Sequence, residues 1–457
     1  VIKFKNIIFY YFFNLLSNFN KNRKVFYSLE KVKKTNIKKT NEKINLAITK
    51  IYENNNEHPL AYYEHANSYV NTDPLFTFNK LENFTEIQKN WEKKQKNNGV
   101  RYLPLQQVIG SIGNYLTVYY YLLHYYNINQ ELNKPTLLIK ANEKLNNNFI
   151  FKLFAPHLNV IKNSYKFFRD RDLIETFQIP LKICMPFKSK CYPWFIGINY
   201  INQEIEKKEN PIFKKLSLNE DQISEGQIIS EKLGLKNGDW YVTLHVREGK
   251  GNNYTNSNPK TYLPAVEEVI SRGGKVVRVG DRRMTKLPKI KGLIDYPFTD
   301  HKSEMMDIFL AKNSKFCIGT SSGYWTFAAF LGVPVLLTNY LPTLDYFLLK
   351  KQDMFLPKKL INKSKEEKLT FDQIFKYPDA YVDTDEGLRK YEIIDNSKDE
   401  ILDAVKDMIR KVNNKASTGF SEHNQKFKNQ ISNLNNFKDG NLKCFADLSE
   451  NFLKNNN

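Results

Sequence analysis

The chain has 457 residues, of which 41% are hydrophobic and 14% aromatic, and this composition excludes a disordered or collagen-like protein. The length predicts about three structural units, and two large domains fit equally well. Lys and Arg outnumber Asp and Glu by 69 to 49, which gives a formal net charge of +20. No apolar run approaches the roughly 18–20 residues of a membrane span, which excludes a multi-span membrane protein.

The basic excess has two explanations. It consists mostly of Lys spread along an Asn- and Ile-rich chain, which is the composition that an AT-rich genome imposes on a solvated surface. A polyanionic partner would also explain it. Because no DNA- or RNA-binding motif occurs, we expect no nucleic-acid partner. The scattered cysteines exclude a disulfide framework and fit a reducing compartment.

Residues 1–97 are predicted to form an N-terminal helical extension. Its first 19 residues contain the aromatic run IIFYYFFNLL after Lys3 and Lys5. This run is too short to span a bilayer, so we expect a helix that lies on a membrane surface or docks on the body of the protein. The expected location is therefore cytoplasmic, with a possible peripheral contact at the inner face of the cytoplasmic membrane.

Residues 98–215 alternate between strand and helix patterns, and we predict an N-terminal Rossmann-like domain that faces the acceptor. Strands are expected at Leu105–Ile109 and Thr136–Lys140, with a helix near Asn148–Phe154. The polar, Pro-interrupted stretch around 207–222 is the expected linker.

Residues 216–420 predict a second Rossmann-like domain, and 421–457 an Asn- and Lys-rich tail. Strands and helices alternate at the spacing of parallel βαβ units. The predicted strands of this domain are Trp240–Val246, Lys275–Val279, Leu293–Asp295, Lys315–Ile318 and Val333–Leu337, and the predicted helices are Thr261–Arg272, Ser303–Lys312 and Tyr324–Leu331. Two such domains predict an α/β protein with a ligand cleft between them.

His245 and Arg247 stand at the carboxyl end of the first strand of this second domain. Alternation along a strand places both side chains on one side. A guanidinium at that edge of a sheet is suited to hold a phosphate through two hydrogen bonds. An ion pair between Arg247 and Glu248 is the alternative.

A strand-turn-helix follows at 315–331, with Gly319, Thr320, Ser321, Ser322 and Gly323 in the turn. Backbone N–H groups at a glycine-containing turn and a helix N-terminus favour an anion. Capping of the helix would account for one of the serines. The turn matches neither a dinucleotide-binding fingerprint nor a Walker A loop.

Other polar residues are placed at the same kind of edge. Asp281 follows one strand, and Asp307 lies on the helix before the serine-rich turn, so their carboxylates are suited to ribose hydroxyls or a base edge. The alternative for Asp307 is that it only complements the helix dipole from the first turn. In the first domain, a turn between a strand and a helix is either an acceptor-side contact or a packing turn; its residues are Gly110, Ser111, Gly113 and Asn114.

The stretches YVTLHVREG, YLPAVEEVISRGGKVVRVGD, IDYPFTDHKSEMMDIFLAKNSKFCIGTSSG and LGVPVLLTN resemble a family of bacterial glycosyltransferases from surface-polysaccharide gene clusters. They are more distantly similar to the GDP-fucose-dependent fucosyltransferases with a His-x-Arg motif. The close resemblance covers about 235–345. It implies a GT-B fold of two Rossmann-like domains that face a cleft.

The resemblance also implies roles for individual residues. His245 would lie near the donor nucleotide, Arg247 would bind its β-phosphate, and Asp307 would contact the base. The turn with Thr320, Ser321, Ser322 and Gly323 would bind phosphate. Glu248 stands where several fucosyltransferases have a second arginine, and this departure argues against fucose specifically.

The expected function is transfer of a sugar from a nucleotide-sugar donor, with a GDP-sugar favoured, to a glycan or lipid-linked glycan of surface polysaccharide or lipopolysaccharide. Inversion at the sugar, no metal and no cofactor beyond the nucleotide-sugar substrate are expected. Arg247 and Glu248 are the predicted catalytic residues, with Glu248 or a first-domain side chain as the base. A sugar-nucleotide epimerase and a non-catalytic polyanion-binding scaffold are the alternatives.

Overall fold

A computed structural model describes residues 217–249, 254–341, 348–370, 390–413, 422–432 and 443–456, with shorter segments between 101 and 207 and at 373–374. These residues belong to two compact units. The predicted strand at 105–109, the turn with Gly110, Ser111, Gly113 and Asn114, and the extension 1–97 lie outside the described residues.

The first unit contains a parallel sheet of four short strands in the order β3-β2-β1-β4. These are β1 (Arg101–Pro104), β2 (Thr136–Ile139), β3 (Asn159–Lys162) and β4 (Phe177–Gln178). The predicted strand Thr136–Lys140 therefore corresponds to β2. An antiparallel pair, β5 (Met185–Phe187) with β6 (Lys190–Tyr192), also belongs to this unit.

The second unit is built on a seven-stranded parallel sheet in the order β16-β12-β11-β10-β7-β8-β9. Its strands are β7 (Tyr241–His245), β8 (Lys275–Arg278), β9 (Leu293–Asp295), β10 (Cys317–Gly319), β11 (Val335–Tyr340), β12 (Met354–Pro357) and β16 (Asp447–Leu448). A small antiparallel sheet adds β13 (Lys359–Asn362), β14 (Glu367–Lys368) and β15 (Tyr391–Ile394).

Nine helices are described: α1 (Asn148–Phe154), α2 (Trp194–Lys207), α3 (Glu220–Lys232), α4 (Leu263–Ser271), α5 (Glu304–Lys312), α6 (Gly323–Phe330), α7 (Lys398–Asn413), α8 (Glu422–Ser432) and α9 (Glu450–Asn456). In the described part of the chain, no helix has the length and apolar character needed to cross a bilayer.

The sheet order explains where a ligand site is expected. From β7 the chain moves to β8 and β9 on one side, and then returns to β10 on the other side of β7. The β7–β10 pair is therefore the topological switch point, where ligands of open parallel sheets bind at the carboxyl ends of the strands. The register places Gly319 beside His245, so both strands end at the same level.

The α/β class predicted from the sequence is confirmed by the two parallel sheets. Each predicted strand of the second domain has a counterpart within a few residues, and β9 has the predicted bounds. The sheet core is apolar, since Val242, Leu244, Val276 and Val277 are all buried. β-branched and aliphatic residues in continuous runs are typical of strands covered on both faces.

The predicted domain bounds stay predictions, but two observations bear on them. α1 and most of α2 belong to the second unit, although both lie within 98–215. Glu304 accepts hydrogen bonds from the first amides of α1, Asn148 N (3.0 Å) and Phe149 N (3.2 Å).

The second observation concerns residues 421–457, which are predicted to form an Asn- and Lys-rich tail. They include β16, which pairs with β12 as an edge strand of the large sheet. Lys411 binds Asp447 at 2.5 Å, and Asp407 accepts a hydrogen bond from Ser449 at 2.9 Å. An ion pair and a hydrogen bond from α7 therefore hold this segment in the unit, which its Asn- and Lys-rich composition does not reveal.

Candidate functional site

The predicted His-x-Arg motif and the serine-rich turn meet at the switch point of the large sheet. His245 ends β7, and Arg247 follows two residues later. The turn 320–322 connects β10 to α6 on the neighbouring strand. The sheet thus brings together two segments that are about 75 residues apart in the sequence, and their side chains contact each other directly.

His245 is held from two sides. Its Nδ1 lies 2.9 Å from the Ser322 hydroxyl, and its ring stacks on Tyr324 with centroids 5.4 Å apart and 13° between the planes. Burial, together with the nearby guanidiniums of Arg278 and Arg247, lowers the pKa of His245 to about 4. The imidazole is therefore neutral at pH 7 and serves as a hydrogen-bonding group, not as a cation.

Arg247 does not form the ion pair with Glu248 that was the alternative expectation. Its backbone N donates to Thr320 Oγ1 at 2.9 Å, and its guanidinium makes one long hydrogen bond, 3.4 Å from Nη1 to the carbonyl oxygen of Ser321. Among the described residues, no carboxylate lies within ion-pair distance of this guanidinium. A half-buried cation at a switch point thus retains most of its hydrogen-bonding capacity for an anion.

The first backbone amides of α6 are also available to an anion. Ser322 occupies the N-cap position, but its hydroxyl contacts His245 and caps none of the first amides of the helix. Those N–H groups lack an intrahelical acceptor and carry the positive end of the helix dipole. Gly319 allows the close turn, because a Cβ there would stand 2.8 Å from the Cβ of Trp325.

Two residues of the turn have structural tasks. Thr320 is fully buried, and its hydroxyl accepts from the Arg247 amide, so it joins the ends of β7 and β10. The structure therefore does not support the predicted phosphate contact by the Thr320 side chain. Ser321 Oγ accepts from Leu341 N at 3.1 Å, which joins the turn to the chain after β11.

Glu248 also has a different environment from the predicted one. Its Oε1 binds Nη2 of Arg278 at 2.6 Å, and its Oε2 accepts from Thr285 N at 3.0 Å. Arg278 is fully buried and also binds Asp295 at 3.0 Å. Because both carboxylate oxygens are engaged, the structure gives Glu248 the task of neutralising Arg278 and does not support its use as a base.

Sequence reasoning missed Arg278, although a signal was present. It is the only charged residue in the run Val276–Val279, and it ends a strand whose preceding two residues are buried valines. A buried arginine requires carboxylate partners, and these come from the ends of the adjacent strands β7 and β9. The cluster of Glu248, Arg278 and Asp295 therefore fastens three strand ends together.

The carboxylates of Asp281 and Asp307 pair with residues other than Arg247. Asp281 is exposed and binds its neighbour Arg283 at 2.6 Å, and these hydrogen bonds lower the pKa of Asp281. Asp307, on α5, pairs with Lys302, which precedes that helix, and burial raises the pKa of Asp307. The Tyr324 hydroxyl donates to the Asp307 carbonyl oxygen at 3.4 Å, which connects Asp307 to the ring that stacks on His245.

A comparison with solved structures finds a distant likeness to a glycosyltransferase. The chain is similar to the crystal structure of the glycosyl transferase family 9 from Veillonella parvula DSM 2008, with a TM-score of 0.37 and 10% identity over 68% of this chain and 97% of that chain. No protein-family model and no curated protein sequence matches. The likeness is to a glycosyltransferase that is not described as a fucosyltransferase, and at this TM-score it does not define a shared family or activity.

Proposed function

We propose that this protein is a glycosyltransferase whose second unit binds a nucleotide-sugar donor at the β7–β10 switch point. The proposed donor is a GDP-sugar, and the proposed acceptor is a glycan or lipid-linked glycan of surface polysaccharide or lipopolysaccharide. Inversion at the sugar without a bound metal is part of the proposal.

One observation carries the proposal: the guanidinium of Arg247 has no carboxylate partner among the described residues and lies next to an uncapped helix N-terminus. Both groups favour an anion, and both stand at the carboxyl edge of a parallel sheet. The diphosphate of a sugar nucleotide provides two linked anionic groups, one for each. The neutral His245 beside them is suited to a further hydrogen bond.

This arrangement suits the chemistry of glycosyl transfer. Cleavage of the bond between the sugar and the diphosphate develops negative charge on the leaving oxygen. Arg247 and the first amides of α6 would stabilise that charge, and removal of one such preorganised donor typically costs about 3–4 kcal/mol of transition-state stabilisation. The acceptor hydroxyl needs a base, and since Glu248 is engaged with Arg278, we propose that the base comes from elsewhere.

The decisive experiment is a screen of purified protein against GDP-, UDP-, CMP- and dTDP-sugars. Thermal shift reports binding, and release of the free nucleotide (GDP, UDP, dTDP or CMP) reports transfer. Arg247→Ala should strongly reduce the shift given by the binding donor. Arg272→Ala is the matched control, because Arg272 lies at the end of α4 and pairs with Glu268 at 2.6 Å. The proposal would be contradicted if none of these sugar nucleotides changed the melting temperature of the wild-type protein.

The donor base has its own test. Guanine presents two adjacent N–H groups that a carboxylate accepts together, whereas uracil presents one, and the difference corresponds to roughly 1–3 kcal/mol. Because Asp307 pairs with Lys302, guanine would have to share or displace that lysine. We expect GDP to bind at least about 10-fold more tightly than UDP and Asp307→Asn to erode the preference, as measured by calorimetry. Equal affinities in the wild type would remove the GDP-sugar from the proposal.

Product analysis separates the proposed transfer from the epimerase alternative. An epimerase would convert a sugar nucleotide without any acceptor, whereas a transferase requires one for efficient turnover. The proposed location at the inner face of the cytoplasmic membrane concerns residues 1–19, which lie outside the described residues. Co-sedimentation of full-length protein with anionic vesicles would test that contact.

A further inference from the structure

Lys358 directly follows β12 and has one of the most enclosed ammonium groups among the described residues. Its side chain is 2% exposed. Nζ donates to the carbonyl oxygens of Tyr254 (2.7 Å) and Asn256 (2.9 Å), and it binds Asp395 Oδ1 at 2.6 Å. An ammonium has three N–H donors, so these three acceptors use all of them.

Both carbonyl acceptors lie on the stretch of chain that comes back to the site after Arg247. We call residues 247–249 the outgoing limb and residues 254–257 the returning limb. The limbs are joined by a hydrogen bond from Ser257 N to the Arg247 carbonyl oxygen (3.0 Å) and by one from Asn256 Nδ2 to the Gly249 carbonyl oxygen (3.1 Å). The backbone of Arg247 is thus held by Thr320 on one side and by the returning limb on the other.

We propose that Lys358 is a positioning residue of the candidate site. By fastening the returning limb to the end of β12, it fixes the backbone from which the Arg247 guanidinium extends. This inference rests on the proposed function of Arg247 as the diphosphate-binding cation. Two hydrogen-bonded steps connect the residues: Lys358 to the returning limb, and the returning limb to Arg247.

The chemistry of the side chain supports positioning over mere packing. Enclosing an ammonium is unfavourable unless it is paired and fully hydrogen-bonded, and an apolar residue would fill the same volume without that cost. What an apolar residue lacks is the ability to bind two carbonyl groups from one limb at once. Preorganisation of a binding group in this way raises affinity by removing the cost of ordering it on binding.

Lys358→Met tests the inference, with Lys359→Met as a matched control. Lys359 is the next residue and also forms an ion pair, at 3.0 Å to Glu400 on α7, but it has no hydrogen bond to either limb. Calorimetry with inorganic pyrophosphate and with GDP should show binding about 10-fold weaker in Lys358→Met and unchanged in Lys359→Met. Wild-type affinity in Lys358→Met would overturn the inference.

A double-mutant cycle shows whether Lys358 acts through Arg247. In an Arg247→Ala background, Lys358→Met should change the remaining affinity for pyrophosphate by less than about 2-fold, because the group that it positions is absent. An equal loss in both backgrounds would mean that Lys358 acts independently of Arg247, and would overturn the inference.

Hydrogen exchange separates a failure of this inference from a failure of the proposed function. The Ser257 and Arg247 amides are both hydrogen-bonded, and in Lys358→Met we expect both to exchange at least about 10-fold faster, with no change in Lys359→Met. Faster exchange in a protein that binds no diphosphate would retain the positioning and reject the proposed function. Unchanged exchange would reject the positioning.

Asp395→Asn is the second variant, in case Lys358→Met does not fold. It leaves the ammonium and its carbonyl bonds in place but removes the countercharge, and the Asp395 side chain is 42% exposed. We expect smaller changes in the same direction for affinity and for exchange. Wild-type values for both in Asp395→Asn would count against Lys358 as a positioning residue.

Discussion

Two neighbouring regions of the large sheet, the β7–β10 junction and the ends of β7, β8 and β9, use arginine in opposite ways. Arg278, the last residue of β8, is fully buried and bound by Glu248, Asp295 and the Thr285 carbonyl. Arg247, two residues after β7, is half-buried and makes a single long side-chain hydrogen bond. A buried cation must be neutralised where it lies, whereas a partly solvated one at the adjacent edge can remain open for a ligand.

The difference shows which charged residues of a sheet edge are available for chemistry. Glu248 is next to Arg247 in the sequence, and simple proximity along the chain favours a pair between them. The fold instead turns Glu248 toward the neighbouring strand, where the need for a countercharge is greater. Arg247 is thereby released from its nearest carboxylate, and this release is what the proposed function requires.

The largest expected effect is on stability, from Arg278→Met. Removing the guanidinium leaves two part-buried carboxylates without their partner, and we expect the free energy of unfolding to fall by about 3 kcal/mol. Urea denaturation followed by circular dichroism measures this. Adding Glu248→Gln and Asp295→Asn should restore part of the loss, and a single variant as stable as wild type would show that the cluster contributes nothing net.

The next effect is on activity, from Arg247→Ala. We expect transfer to fall by about 10²-fold, since the guanidinium serves the leaving phosphates. The free energy of unfolding should change by less than about 0.5 kcal/mol, because this side chain has no ion pair among the described residues. Steady-state kinetics and denaturation on the same preparation check both. Full turnover with unchanged donor affinity would show that Arg247 takes no part in donor binding or transfer.

A pH-dependent effect comes from His245, which lies between the two regions. Its pKa is lowered from 6.5 to about 4, so the unfolded chain binds the proton more tightly. Its contribution to stability is complete above pH 6.5 and declines as the pH falls toward 4. His124, whose pKa burial lowers to about 3, adds to the same decline.

His245→Gln isolates the contribution of His245, because His124 is common to both proteins. Between pH 6.5 and 4, the wild type should lose more unfolding free energy than the variant does. Parallel curves for the two proteins over this range would show that His245 titrates normally in the folded state.

The smallest expected effect is that of Arg282→Ala. Arg282 is exposed after β8, and its guanidinium donates to the Thr299 carbonyl at 3.2 Å. We expect less than about 0.5 kcal/mol in unfolding free energy and less than about 2-fold in transfer. A loss as large as that of Arg247→Ala would mean that the overall positive field, and not local geometry, binds the donor.

Local pattern predicted five of the seven strands of the large sheet, β7 to β11, but neither β12 nor β16. The bounds of β9 and α1 coincide with the prediction, and β7 and α6 differ by a residue or two, because buried strands and the glycine turn give strong local signals. The meeting of His245 with Ser322 followed from the rule that parallel strands share a carboxyl edge.

Pairing across the sheet could not be predicted from the sequence. Glu248 was assigned by its position beside Arg247, and the partner that it actually binds is 30 residues away on the next strand. Lys358 acts on carbonyl groups more than 100 residues earlier, and backbone acceptors leave no mark on the sequence. β16 is a two-residue strand in a polar segment, which is too short for any periodicity to appear.

The order in which the large sheet is synthesised has a consequence for its folding in the cell. β12 carries backbone groups on both edges, and one edge is covered by β16, which the ribosome adds about 90 residues later. At a translation rate of roughly 5–20 residues per second, that edge stays unpaired for on the order of 5–20 seconds. An unpaired apolar strand edge is a template for association with other chains. We therefore expect an aggregation-prone interval during synthesis, in which chaperones bind the nascent protein.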